Sequence, residues 1–309
     1  MGEQALKTAS RGLRSDSRAI GNVCNGYHKL EVNAYVTVDL LKSSSVLNVT
    51  GSGDDTRLRL LAESQSRVVD RLTNRQFYSL TATRTFDVTD TERVLLPDLA
   101  AITSLKTDDN IDRTFETTWA TTDYRLRPSN SDPASRENSN SRPYTSVIVD
   151  SNGTRSFTLG DETAQVVGEW GWWLHKGTAT ETADAISSTT AKTFSVSART
   201  DVEAGHTILV DSEQMYVQSY SGNTLTVIRS VNGTSAATHS SGAAISLYEY
   251  PEPVREAVII QAARMWKRKD SSYANALGLE GGLMEIFRGI DQDVKQALNP
   301  YRKMAIGVV

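Results

Sequence analysis

VVGEWGWW, running from Val166 to Trp173, is the stretch that divides this chain. It places three of the five tryptophans within four positions and alternates residue size like the end of a β-strand. The polar run HKGTATETAD follows after one leucine, so the apolar strand end has no immediate continuation to pack against. The first convincing one, PEPVREAVIIQAARMWKRK, begins at Pro251. The residues between read as an insertion.

That block, about Gly177 to Leu247, is rich in Thr, Ser, Ala and Gly. Alternating segments recur in it, TFSVSA, HTILVD, MYVQSYS, LTVIRS and AAISLYEY, divided by turns at Gly205, Asp211-Ser212, Gly222-Asn223 and Asn232-Gly233. The pattern predicts a barrel or sandwich of about seventy residues, near the lower size limit for an autonomous core.

Upstream, Thr37 suits the N-cap of a short helix from Val38. A longer helix, about Thr56 to Thr73, is capped by Asp54 or Asp55 and places Leu58, Leu61, Gln65, Val68 and Leu72 on one side, with Asn74 as its left-handed stop. TRTFDV, RVLLP, SLKTDD and TTDYRLRP then predict a small antiparallel sheet. Ser129 to Pro143 is a polar loop, and YTSVIVDSNGTRSFTL reads as a hairpin with Asn152-Gly153 near its turn. Downstream, Pro251 and Pro253 start a helix to about Lys269, with Val254, Val258, Gln261, Ala262 and Met265 on one side. LGLEGG breaks the chain before a last helix carrying Ile290, Val294 and Leu298, which Pro300 ends.

The 309 residues accommodate two domains or one domain with an insertion. A net charge of -4 without a dominant basic stripe does not mark a nucleic-acid binder. No apolar run is long enough to span a bilayer, and MGEQALKTASRGLR lacks the apolar core of a signal peptide. Cys24, the only cysteine, excludes an intramolecular disulfide and a multi-thiolate zinc site, and it reads as a small buried residue of a protein suited to a reducing cytoplasm. In the first 33 residues Lys7, Arg11, Arg14 and Arg18 form a basic face if helical, either on a solvated arm or against an acidic neighbour or a DNA duplex.

Catalytic signatures are missing. His28, His175, His206 and His239 form no HxxxH or HxH pair, and no GxSxG, GxxxxGK[ST] or strand-to-helix GxGxxG occurs. Asp211 and Glu213 near His206 invite a calcium or glycosidase reading but fit turn positions better. The sequence therefore points away from an enzyme and to no cofactor or metal. Trp170, Trp172, Trp173 and Trp266 are expected to pack at the insertion's base or between subunits, with stacking of the first three on sugars or bases as the alternative.

The order of the pieces carries a resemblance. A short helix, DDTRLRLLAESQSRVVDRLTNRQF, a β region with VLLPDLAAITSLKTDD and TTDYRLRP, VVGEWGWW, and then PEPVREAVIIQAARMWKRK together resemble the head-to-tail connector (portal adaptor) family of tailed bacteriophages, over about Ala34 to Trp173 and Tyr250 to Tyr301. DSEQMYVQSYSGNTLTVIRSVNGTSAATHSSGAAI also resembles a small β module of phage virion proteins, and the block's position between strand and helix departs from the adaptor pattern.

The resemblance implies an α+β fold, a helical-bundle adaptor core with a small antiparallel sheet plus the inserted all-β module. Its parts are an N-terminal extension (1–33), the first core part (34–176), the inserted module (177–248), a second core helix (249–280) and a C-terminal helix with a portal-docking tail (281–309). It further implies a ring of about twelve copies under the portal protein at the capsid vertex of the virion, assembled in the host cytoplasm, extending the channel for double-stranded DNA and carrying tail terminator, stopper or nozzle proteins. The family's C-terminal anchor maps to Tyr301, Arg302, Lys303, Met304, Ile306, Val308 and Val309, an apolar ending that is costly to leave in water. A virion protein binding host-surface glycan through the β module is the alternative. On either reading, deleting 177–247 is expected to leave the helical core folded.

Overall fold

The computed structural model describes residues 32–135, 140–269, 276–279, 282–285 and 289–303. Two antiparallel sheets of six strands each dominate them, with four α-helices: α1 (Val38–Lys42), α2 (Asp55–Thr73), α3 (Glu252–Arg268) and α4 (Gln292–Leu298).

The expected helical-bundle core is thereby overturned. Helices α1 and α4 have 5 and 7 residues, too few to enclose a core with α2 and α3. The strands are longer than the pattern suggests. RVLLP and the SLKT of SLKTDD lie in one 15-residue strand, because irregularities in its register interrupt the alternation without ending the pairing.

The first sheet runs β1 (Leu80–Val88), β6 (Gly160–Trp170), β2 (Arg93–Thr107), β5 (Tyr144–Val149), β4 (Tyr124–Arg127), with β3 (Thr117–Thr118) beside β2. The expected hairpin across Asn152-Gly153 does not form. Strand β5 pairs with β2 and β4, while β6 lies between β1 and β2. The segment between them crosses over because the Phe157 N–H donates to the Thr91 carbonyl and its ring stacks on Trp119, with centroids 4.5 Å apart. Val94, Leu96, Leu105, Val147, Val166 and Trp170 complete that core.

The second sheet runs β7 (Leu174–Glu181), β12 (Ala244–Glu249), β9 (Thr207–Val210), β10 (Glu213–Ser221), β11 (Thr224–Ile228), β8 (Thr193–Ser195). A bridge between Thr182 and Val196 joins its two edges, so the sheet rolls around Ile208, Val210, Met215, Val217, Leu225 and Ile245. A separate hairpin, β13 (Ala276–Leu279) and β14 (Gly282–Glu285), connects α3 to α4.

A third core gathers the helices between these sheets. Ala62 and Val69 of α2, Val254 and Val258 of α3, and Val294 and Leu298 of α4 meet Tyr35, Phe77, Trp173, Tyr216 and Tyr250. The buried face of α2 is Leu58, Ala62, Gln65, Ser66, Val69 and Thr73, turned from the expected stripe toward its small residues. Ala62 and Ser66 allow close approach, and the Ser66 hydroxyl accepts the Tyr35 N–H at 2.9 Å. The ends follow the sequence: the Thr37 side chain caps α1, and Asn74 stops α2 at φ 52°.

Candidate functional site

VVGEWGWW ends strand β6 at Trp170 and then bends, over Gly171 to Trp173, into the second sheet, so the strand end is continued at once by β7. Gly171 has φ 131°, and a Cβ there would collide with the Tyr78 carbonyl oxygen, so only glycine lets the chain leave β6 and enter β7 three residues later. The tryptophans then separate. Trp170 is buried in the first sheet's core, its indole N–H donating to the Ala82 carbonyl at 2.9 Å. Trp173 is buried in the helical core with its ring 5.9 Å from that of Tyr248. Trp172 lies between, donating to the Ser141 carbonyl at 2.7 Å. Trp266 is elsewhere, with Val38, Leu58 and Ala204. These rings all pack against other parts of the chain.

The chain's C-terminal described residues return to this bend. The Tyr301 ring stands 5.0 Å from Trp172 and 6.0 Å from Phe77. Its carbonyl accepts the Arg75 Nε–H at 2.6 Å, and the same guanidinium pairs with the buried Asp98 carboxylate. The Lys303 N–H donates to the Thr73 carbonyl at 2.7 Å, closing the segment onto the end of α2. Of the expected portal-docking residues, Tyr301 and Lys303 are thus engaged in their own fold, and Arg302 projects outward. Met304, Ile306, Val308 and Val309 lie outside the described residues, as do Lys7, Arg11, Arg14, Arg18 and Cys24.

Arg302 opens a cleft of about 610 Å³ that it lines with Arg71, Leu72, Lys295 and Leu298, together with amide side chains of α4. Arg71, Lys295 and Arg302 are exposed and make no ion pair among the described residues, and the lining contains no carboxylate. A second cleft of about 490 Å³ shares Arg71 and continues past Arg75, Arg84 and Lys303 to Trp170 and Gly171. The second lining also holds Asp70 and Asp98, the latter paired with Arg75 and Lys303, so the unpaired cations concentrate in the first cleft. Arg71 and Lys295 escape sequence reading because they are far apart in the chain and each is an ordinary last-turn helix cation.

Two acidic constellations complete the inventory. In the second sheet the fully buried Glu213 carboxylate takes a bidentate pair from Arg229 at 2.7 and 2.6 Å, the Ser230 and Ala237 N–H groups at 3.0 and 2.9 Å, and lies 3.0 Å from the His239 Nε2. Asp211 meets the other His239 nitrogen at 2.7 Å. Burial pushes the Glu213 carboxyl up, yet these donors together bring it down to about 2. The histidine at these carboxylates is thus His239 and not His206, whose Nδ1 accepts the Glu203 N–H, and Glu213, expected at a turn position, starts strand β10. Every carboxylate oxygen of Glu213 is already used to hold the loop from Arg229 to His239, and the cluster reads as a structural pin.

In the loop between β2 and β3, Asp108, Asp112 and Glu116 bring carboxylate oxygens within 4.8 Å of one another, a grouping that the sequence reading passed over although DDNIDRTFE carries a carboxylate at every fourth position. Asp108 is buried and accepts the N–H groups of Asn110, Ile111, Asp112 and Arg113, so its first use is to fold the loop. No helix among the described residues is long and apolar enough to cross a membrane. Comparison with protein-family models, with curated proteins and with solved structures finds no match for this chain.

Proposed function

We propose that the chain is a structural virion protein, a head-to-tail connector adaptor that forms a ring under the portal and carries tail or stopper proteins. The observation that supports it most is the joined junction: Trp173, at the end of VVGEWGWW, and Val254, in the proline-started helix, enter one core although the second sheet intervenes in sequence. That is the strand-to-helix step on which the family resemblance turns, carried here by sheets and not by a helical bundle. Its partners are the portal, neighbouring copies, tail proteins and the passing duplex, at the head–tail interface of the virion, and it involves no catalysis. The test is electron microscopy of the purified chain mixed with the portal protein of the same phage. Rings coaxial with the portal are expected; a chain that neither forms rings nor associates with the portal overturns the reading.

A further inference from the structure

Two surfaces at opposite ends of strand β6 complement each other in charge and in apolar content. Where β6 begins, Ile111 is 59% exposed and Leu159 is 51% exposed, although both are large aliphatic residues. Ile111 has φ 62°, a conformation that a β-branched residue adopts only when its surroundings impose it. The imposition comes from Asp108, whose carboxylate accepts the Ile111 N–H at 2.7 Å and the Arg113 N–H at 2.6 Å. The backbone strain thus serves to hold an aliphatic side chain in water. Around it Asp109, Asp112, Asp161 and Glu162 are exposed, and within 108–113 and 159–162 Arg113 is the sole cation.

Where β6 ends, Trp170 and Gly171 border the smaller basic cleft, which shares Arg71 with the larger one. There the signs are reversed: Arg71, Lys295 and Arg302 stand exposed without ion pairs among the described residues, around the half-buried Leu72 and the buried Leu298. Strand β6 has 11 residues, which at about 3.3 Å per residue sets the two surfaces about 35 Å apart. One copy cannot bring its own two surfaces together.

We infer that the Ile111–Leu159 knob of one copy docks into the Arg71–Lys295–Arg302 cleft of a second copy, head to tail. The aliphatic side chains then leave water for the half-buried Leu72 and the aliphatic stems of the basic side chains, and the knob carboxylates meet two guanidinium groups and an ammonium. A contact between two different patches of the same chain is heterologous, so it closes into a ring or grows into a filament according to its rotation. The inference does not rest on the connector reading, since a chain with another role would self-associate in the same way.

Sedimentation of the full chain tests it. At low ionic strength the chain is expected to form oligomers that grow with concentration and dissociate as salt screens the charges. The cleft reversal Arg71→Glu, Lys295→Glu, Arg302→Glu and the knob reversal Asp109→Lys, Asp161→Lys, Glu162→Lys should each be monomeric alone. Mixed in equal amounts they should associate again, because each reversed surface finds its complement. A wild-type chain that stays monomeric at every concentration overturns the inference, as do reversed variants that oligomerise like wild type. Should a reversal fail to fold, Leu159→Cys with Arg302→Cys in a Cys24→Ala background decides: oxidation is expected to give a ladder of linked copies, and cross-linking no greater than in either single-cysteine variant overturns the contact. Portal mixing keeps the two readings apart, since loss of portal binding with self-association intact counts against the connector reading alone.

Discussion

The Thr81 N–H donates to the Asn232 carbonyl oxygen at 3.0 Å, and this bond ties the outer edge of the first sheet to a turn of the second. Side chains reinforce it. Asn33 and Asn232 exchange two amide hydrogen bonds, at 2.8 and 3.0 Å, and Asn232 also donates to Gln214 at 2.8 Å. Gln214 in turn donates to the Ser79 hydroxyl at 3.2 Å, next to β1. The turn therefore covers part of an edge strand that would otherwise present unpaired backbone groups to solvent.

Gly233 makes that approach possible. It has φ 78°, and a Cβ would fall on the Thr81 carbonyl oxygen, well inside van der Waals contact. Gly233→Ala must both strain the turn and push the sheets apart, so it is expected to cost about 1–3 kcal/mol, read as a lowered urea midpoint. The contrast is Gly222→Ala, at φ 57° with open space around it, where only the conformational cost remains. Equal losses at the two glycines would show that the Asn232 turn does not hold the sheets together.

Removal of the second sheet provides a larger version of the same question. From sequence, deleting 177–247 leaves a folded helical core. The structure gives the opposite expectation, because Tyr216 and Val231 lie in the core shared with α2 and α3, and Tyr216 donates to Glu63 of α2 at 2.7 Å. Deletion takes Tyr216 and Val231 out of that core and leaves Glu63 without that donor. The shortened chain is expected to aggregate or lose its cooperative melt; a soluble product with a sharp transition would show that the helical core stands alone.

Acid should loosen the second sheet through Glu213. Its carboxyl in the folded chain lies at about 2, below the value of about 4.3 for an unfolded glutamate. The stabilisation is therefore complete above about pH 4.3 and is lost as the pH falls from there through about 2. Glu213→Gln is expected to cost about 3–5 kcal/mol at neutral pH, since it leaves Arg229 buried without its charge partner. Urea midpoints measured from pH 7 downward should also fall less steeply below about pH 4.3 in the variant than in wild type. Parallel pH profiles for the two chains would remove Glu213 from the acid response.

How far the sequence reveals all this depends on the distance over which each signal acts. The Thr37 cap, the Asn74 stop and five of the second sheet's six strands, β8 to β12, are local, so side-chain chemistry and alternation suffice to find them. The length of β2 is not, because bulges break its alternation and only the partner strands show that pairing continues. LHKGTATE looks too polar to continue an apolar strand, yet it is β7, an antiparallel partner of β12. The basic cleft is hidden for a related reason: Arg71, Lys295 and Arg302 come from three separate segments, and their common feature is an absence of ion pairs among the described residues, which no spacing rule detects.

Neighbouring residues at the C-terminal end of the described chain should separate folding from binding. Tyr301 is packed between Phe77 and Trp172, and its carbonyl fixes Arg75, which also holds Asp98. Tyr301→Ala opens a cavity beside these rings and is expected to cost about 2–4 kcal/mol, less than for a fully buried aromatic because Tyr301 is half-buried. Tryptophan fluorescence should shift to the red as Trp172 gains water. Arg302 is exposed and unpaired among the described residues, so Arg302→Ala should stay within about 0.5 kcal/mol of wild type while weakening any contact made through the cleft. If Arg302→Ala destabilised the chain as much as Tyr301→Ala, the cleft would belong to the fold, and its free cations could not be assigned to a partner.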